Sequence, residues 1–239
     1  FKQKTAYEIM PSLVGSEMCI RDRIRLLQSA VAVVGVGGLG GITIELLARQ
    51  GVGHIFIIDN DRYVEQNLNR QIMCTEGNLG EHKALVAARR VNQINSAIKV
   101  TALVEKLTQE NAIQLLKDAT IVVDGLDNLP SRIIVEEACR KLGIPFVYGT
   151  IAGFSGQLMT IYPEDKGLTA IFGPSGSYPD QGIETKIGTP SATPVMVAAW
   201  QVQEVIKIIT GIGRPLRNHI LLLDAIEGVI DKIELGGGE

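Results

Sequence analysis

"AVAVVGVGGLG", residues 30–40, decides the fold. A β-rich aliphatic run, Ala30 to Val34, stops at a glycine and opens the pattern G-x-G-x-x-G on Gly35, Gly37 and Gly40, with Gly38 inside it. Ile42, Leu46 and Leu47 then recur at helical spacing until Gly51, which predicts a helix over 39–49. "HIFIID" (54–59) reads as a second strand and ends on an acid 24 positions after the first glycine. Strand, glycine turn, helix, strand and acid form the signature of a nucleotide-binding crevice. The turn lets backbone N–H groups approach phosphates at a helix N-terminus, where the dipole favours anions. The pattern alone is shared by nicotinamide, flavin and ATP sites, and a turn that only packs helix on strand would also show it.

The alternation continues downstream. Helices are predicted over 83–95, 111–118 and 132–143, and strands over 98–105, 120–125 and 145–150. This predicts an α/β fold, a Rossmann-like doubly wound and mainly parallel sheet, with ligands at the carboxyl ends of its strands. After residue 150 the pattern changes to a strand at 156–163, a Gly/Pro/Ser-rich stretch over 164–192, a long helix near 194–210 and two closing strands between 219 and 234. The 239 residues, 46% hydrophobic, suffice for one sizeable core. A formal charge of -3 gives no argument for nucleic acid or an anionic membrane, and no apolar run reaches the roughly 18 residues of a membrane span. Three cysteines without paired spacing point to a reducing, cytoplasmic setting.

Residues 1–23 stand apart. Lys2–Glu8 back-translates to a short-read flow-cell primer and Leu13–Asp22 to a transposase-library adapter, in one frame and in the right order. The segment reads as a sequencing-adapter scar rather than native sequence, leaving 24–239 as a single domain with an acidic balance.

The chemistry concentrates in "IIDNDRYVEQNLNRQ" (57–71). Asp59 suits ribose hydroxyls. Asp61, two positions on, would point the same way in an extended segment, and two close carboxylates suggest a magnesium ion or a charged partner. Asn67, Asn69, Arg70 and then Lys83 follow, and the two cations supply the positive charge that a triphosphate needs. Each alone would pass for a solvated surface residue; together, beside a glycine loop, they do not. In "VVDGLDNLPSR" (122–132), Asp124 and Asp127 fall at the end of the fourth strand, beside the expected crevice, where a carboxylate can hold magnesium on phosphates. Asn128 suits a helix cap as well as a ligand contact.

These stretches, with "VVGVGGLGG" (33–41), "LGEHKA" (79–84), "IPFVYGTIAGFSGQ" (144–157) and "QVQEVIKIITG" (201–211), resemble the ThiF/MoeB/HesA adenylyltransferases, relatives of the adenylation domains of ubiquitin-activating enzymes. The resemblance runs from about Leu26 to Leu235. It implies that Gly38 contacts ATP, Asp59 binds the ribose, Asn67 and Arg70 bind nucleotide and phosphates, and Lys83 binds phosphates. Asp127 would be the magnesium-linked aspartate, with Asn128 beside it. The implied reaction is adenylylation of the C-terminal glycine of a small ubiquitin-like sulfur carrier ending in Gly-Gly, of the kind that serves thiamine or molybdopterin/tungstopterin biosynthesis, by a cytoplasmic homodimer.

The chain departs from the family in three places. The two C-x-x-C pairs of many members are missing, and 168–173 reads "LTAIFG", so no structural zinc is expected. The loop before the late helix, "GIETKIGTPSATP" (182–194), has no cysteine, so adenylylation is expected without a covalent carrier intermediate there. The N-terminal arginine that members lend to the partner's ATP site falls in the adapter-like segment, and Arg21, Arg23 and Arg25 are not substitutes for it. Cys74 reads as an ordinary thiol. Two other readings stay open: a non-catalytic or tRNA-modifying relative of the superfamily, and an NAD- or FAD-dependent oxidoreductase. The second leaves Arg70, Lys83 and Asp127 without a role.

Overall fold

The computed structural model describes residues 20–173 and 188–235. It opens with helix α1 (Ile20–Gln28), which begins inside the adapter-like segment, and continues β1 (Ala30–Val34), α2 (Gly38–Gln50) and β2 (His54–Ile58). Then follow α3 (Lys83–Ile94), β3 (Lys99–Leu103), α4 (Ala112–Leu116), β4 (Ile121–Asp124), α5 (Leu129–Leu142) and β5 (Phe146–Ala152). β6 (Ser155–Ile161), a short α6 (Thr169–Phe172), the long α7 (Ala192–Thr210), β7 (His219–Asp224) and β8 (Val229–Glu234) complete it. The strands form one sheet in the order β3-β2-β1-β4-β5-β6-β7-β8. β1 to β5 are parallel, and β6, β7 and β8 join antiparallel. The expected fold class is therefore the observed one.

The parallel strands carry unbroken aliphatic runs because both of their faces are covered. Val31, Val33, Ile55, Ile57 and Val123 pack with residues of α2, α3 and α7 on one face, including Ile44, Leu47, Ala87, Val202 and Val205. Ala32, Val34, Phe56, Ile58 and Val122 pack on the other with Leu116, Val135 and Ala138 of α4 and α5. The chain winds from β1 outward to β2 and β3, then returns to place β4 on the other side of β1. The crevice at this switch point opens above Val34 and its register partners Ile58 and Asp124.

Glycine is required where the backbones meet at that crevice. A Cβ on Gly40 would lie 1.8 Å from the Gly35 carbonyl oxygen, and one on Gly125 2.4 Å from the same atom. The β1 turn, the first turn of α2 and the end of β4 thus touch backbone to backbone.

α5 starts three residues earlier than the apolar pattern suggests. Asn128 caps it, its Oδ1 accepting from Ser131 N–H at 2.9 Å, and Pro130 fits the first turn. Residues 168–173, the expected place of the missing zinc ligands, hold α6 instead. Of the cysteine-free loop 182–194, residues 182–187 lie outside the described residues. Among the described residues no helix is long and apolar enough to cross a membrane.

Candidate active site

α2 begins at the crevice with no side-chain cap. Its first intrahelical bond runs from Gly41 N–H to the Gly37 carbonyl, so the amides of Gly38, Leu39 and Gly40 have no acceptor within the helix. A side chain on Gly37 would meet nothing nearer than 3.8 Å, and one on Gly38 would meet Pro194 at 3.3 Å. The loop thus presents free amides and room at a helix N-terminus, which suits a phosphate.

Asp59 is tied to this loop. Its Oδ2 accepts from Val36 N–H at 2.6 Å and its Oδ1 from Asp61 N–H at 2.7 Å. Burial pushes its carboxyl above the usual range, while these two amides and Lys83 pull the other way. The second bond ties the backbone of Asp61 to the Asp59 carboxylate. Asp61 Oδ2 accepts from Lys83 Nζ at 3.0 Å, and the Asp61 carbonyl accepts from Lys83 N–H. The Lys83 side chain is 8% exposed and that of Asp61 62%, so the acid holds a buried ammonium from its solvent side.

Between them the chain makes a closed loop. Tyr63 is buried among Val36, Met73, Cys74 and Ala84, and an isolated bridge pairs Arg62 with His82. Asn67 nucleates a turn: its Oδ1 accepts from Val64 N–H at 3.1 Å and its carbonyl accepts from the amides of Arg70 and Gln71. Half of its carboxamide is therefore engaged in structure, leaving the amino group for a ligand. Arg70 Nη1 donates to the Gln66 carbonyl and to Asn69 Oδ1, and the Arg70 carbonyl lies 3.5 Å from a Cβ placed on Gly38. Cys74 is buried, with its thiol pushed up by burial, as suits an inert thiol.

Across the crevice the two aspartates after β4 separate. Asp124 is fully buried and paired with Arg132 at 2.9 Å, so it is not available to a ligand as its position had suggested. Asp127 is exposed at the loop tip, and its Oδ1 accepts only from Asn128 Nδ2, at 3.0 Å. Asn128 takes the capping role open to it, and its Nδ2 also donates to Asp127. Asn128→Ala is expected to lower stability by about 1 kcal/mol through the lost cap, read by urea unfolding.

Two contributors escaped the sequence reading. Gly125 lets the β4 loop touch the glycine turn, and its position directly after a strand-ending acid was the available signal. Gln71 is buried and its Oε1 has no partner, while its Nε2 lies 3.9 Å from a Cβ placed on Gly37. An unpaired buried carbonyl oxygen beside the glycine loop can accept from a ligand donor or a water. No periodicity marks it.

A magnesium ion would need phosphates as well as protein here. Among the described residues no three His, Cys, Asp or Glu side chains form a metal cluster. One exposed carboxylate opposite bare amides fits the habit of magnesium, which takes one or two carboxylates together with substrate phosphates.

Crevice, loop and acids define an α/β protein of the nucleotide-binding class. The ThiF family model matches residues 10–237, and the chain belongs to the ThiF family. It is 36% identical to the sulfur carrier protein adenylyltransferase of Thermus thermophilus, over 87% of this chain and 79% of that one. It is 37% identical to the sulfur carrier protein ThiS adenylyltransferase of Bacillus subtilis, over 78% of this chain and 56% of that protein. With the adenylyltransferase and sulfurtransferase MOCS3 of Arabidopsis thaliana it shares 35% identity, over 97% of this chain but only half of the longer relative. Among solved structures, E. coli MccB with ATP superposes with a TM-score of 0.78 at 24% identity, covering 98% of this chain and 69% of that one, which shows the shared fold.

Proposed function

We propose that the chain is an ATP-dependent adenylyltransferase acting on the C-terminal glycine of a small ubiquitin-like sulfur carrier. The products are the carrier acyl-adenylate and pyrophosphate, in sulfur transfer for thiamine or molybdopterin/tungstopterin biosynthesis. The observation that carries this reading is the buried Lys83 ammonium, held by Asp61 on the loop that runs from Asp59 past the uncapped start of α2. Hydride transfer has no use for a lysine and an arginine at that place. The names of the Thermus and Bacillus relatives support the carrier as acceptor.

Each residue then has a task. Gly35 and Gly40 shape the loop, and the amides at Gly37 and Gly38 receive phosphate oxygens. Asp59 accepts from the ribose hydroxyls. Asn67, Arg70 and Lys83 hold the nucleotide and its phosphates and stabilise the charge that grows on them. Asp127 would hold magnesium on the phosphates, where the ion would supply charge neutralisation. A carrier carboxylate oxygen attacks the α-phosphorus, the new P–O bond forms, and the bond to the bridging α–β oxygen breaks to release pyrophosphate. The nucleophile is already ionised, so no general base is required. Exposed Val64, Leu68 and Ile72, four residues apart on the loop beside α2, favour a protein-covered face and a homodimer as the working form. Two buried free cysteines fit a cytoplasmic setting.

The direct test is the intact mass of a Gly-Gly carrier after incubation with protein, ATP and magnesium. An AMP adduct is expected, and none on a carrier lacking its last glycine; no adduct, with NADH oxidised instead, would overturn the reading. The Asp59–Asp61 pair separates in the same assay. Asp61→Asn leaves the buried Lys83 ammonium without its counter-charge, and is expected to lower the melting temperature and the turnover while ATP affinity stays near the parent's. Asp59→Asn weakens both the ribose contact and the bond to Val36, and is expected to cut ATP affinity by about tenfold or more.

A further inference from the structure

The loop that carries Asp127 is held from beneath by side chains that engage its backbone. Asp124 Oδ1 accepts from Leu126 N–H at 2.9 Å. Arg132, in the first turn of α5, donates Nε to Asp124 Oδ2 at 2.9 Å and Nη2 to the Leu126 carbonyl at 2.6 Å. Both backbone polar groups of Leu126, the residue before Asp127, are therefore bound to one buried ion pair. From β5, Gly149 N–H reaches Asp124 Oδ2 at 3.4 Å, and the Arg132 guanidinium lies 5.7 Å from the centre of the Tyr148 ring. From α7, the fully buried Gln201 donates Nε2 to the Asp124 carbonyl at 2.9 Å and to the Val147 carbonyl at 3.3 Å. A Cβ on Gly149 would strike that amide at 2.5 Å.

Apolar residues of the same volume would stabilise this place as well as a buried ion pair does. They would not fix direction. An arginine fork with two acceptors at set angles does. The contacts are also one-sided: helix α5, strands β4 and β5 and helix α7 all converge on the backbone just before one exposed carboxylate.

We propose that Arg132 is a positioning residue. With Asp124 and Gln201 it clamps Leu126, so that the Asp127 carboxylate meets the phosphate end of the crevice in one orientation. This rests on the adenylylation reading, and it gives the "QVQEV" stretch of the late helix a task at the site 77 residues upstream.

Arg132→Lys tests it, because lysine keeps a cation beside Asp124 but is a point charge without the fork that spans to the Leu126 carbonyl. The expected variant is folded by circular dichroism and binds magnesium-free ATP like the parent. Its exchange turnover falls about ten- to hundred-fold, with the ATP KM within about threefold and a raised magnesium requirement. A lowered melting temperature with parental turnover and magnesium dependence would show a merely structural pair and overturn the proposal. Should Arg132→Lys fail to fold, Gln201→Met, which keeps volume and removes the bond to Asp124, should give a smaller change of the same kind; parental kinetics there would likewise overturn it. A parent protein without carrier-dependent exchange would defeat the adenylylation reading instead. The clamp is then read by hydrogen–deuterium exchange at residues 125–128, which must accelerate in Arg132→Lys; unchanged protection would overturn the clamp itself.

Discussion

Asp127→Ala is expected to reduce carrier-dependent pyrophosphate exchange by about 10²- to 10³-fold while leaving the melting temperature almost unchanged. The two effects separate because of where the side chain sits. Asp127 is exposed, and within the protein it accepts one bond, from its neighbour Asn128. Its truncation leaves no buried group unpaired, so stability should move by no more than about 0.5 kcal/mol. On the adenylylation reading, what is lost is the carboxylate proposed to meet the phosphates. Magnesium titration of the exchange rate checks this: raising the ion concentration should not restore turnover. A variant with parental exchange would remove Asp127 from the site and with it the assignment of the β4 loop.

Gly40→Ala is expected to damage fold and site together. The added carbon would lie 1.8 Å from the Gly35 oxygen and 2.9 Å from its carbonyl carbon, both backbone atoms, so the first turn of α2 or the β1 turn must move. Overpacking of this kind costs about 3 kcal/mol or more, which for a chain of this size lowers the melting temperature by roughly 6–12 °C. ATP binding should be lost as well, because the displaced backbone is the proposed phosphate cradle. Gly51→Ala is the control. Gly51 has a φ of +85°, yet nothing lies within 4 Å of its added carbon, so only backbone strain is introduced. A loss of about 1 kcal/mol with normal ATP binding is expected there, read by thermal melts and calorimetry.

Much of the fold was legible because a doubly wound sheet writes its own punctuation. Gly35 ends β1 and Gly51 ends α2, both at positive φ, and the aliphatic runs of β1, β2 and β4 are unbroken because helices cover both faces. The start of α5 was less legible, since the capping Asn128 precedes the apolar pattern by several residues. Within the site, Asp59 and Lys83 were visible as types at the right distance from a glycine loop. The partner of Asp61 was not. Which acid braces the lysine depends on contacts around 59–61 that a pattern of alternating side chains does not encode. Asp124 and Asp127 show the same limit: three residues apart in one motif, one is fully buried on Arg132 and the other faces solvent. Gln71, Gly125 and Gln201 act through contacts with distant elements, which a sequence read locally leaves silent.

The most direct measurement is the exchange of radiolabelled pyrophosphate into ATP, with and without a carrier ending in Gly-Gly. The expected result is exchange that requires both magnesium and the carrier, disappears when the last glycine is removed, and is lost in Asp127→Ala. Exchange independent of the carrier, or no exchange by a folded protein that binds ATP, would contradict adenylylation of a carrier carboxylate at this crevice.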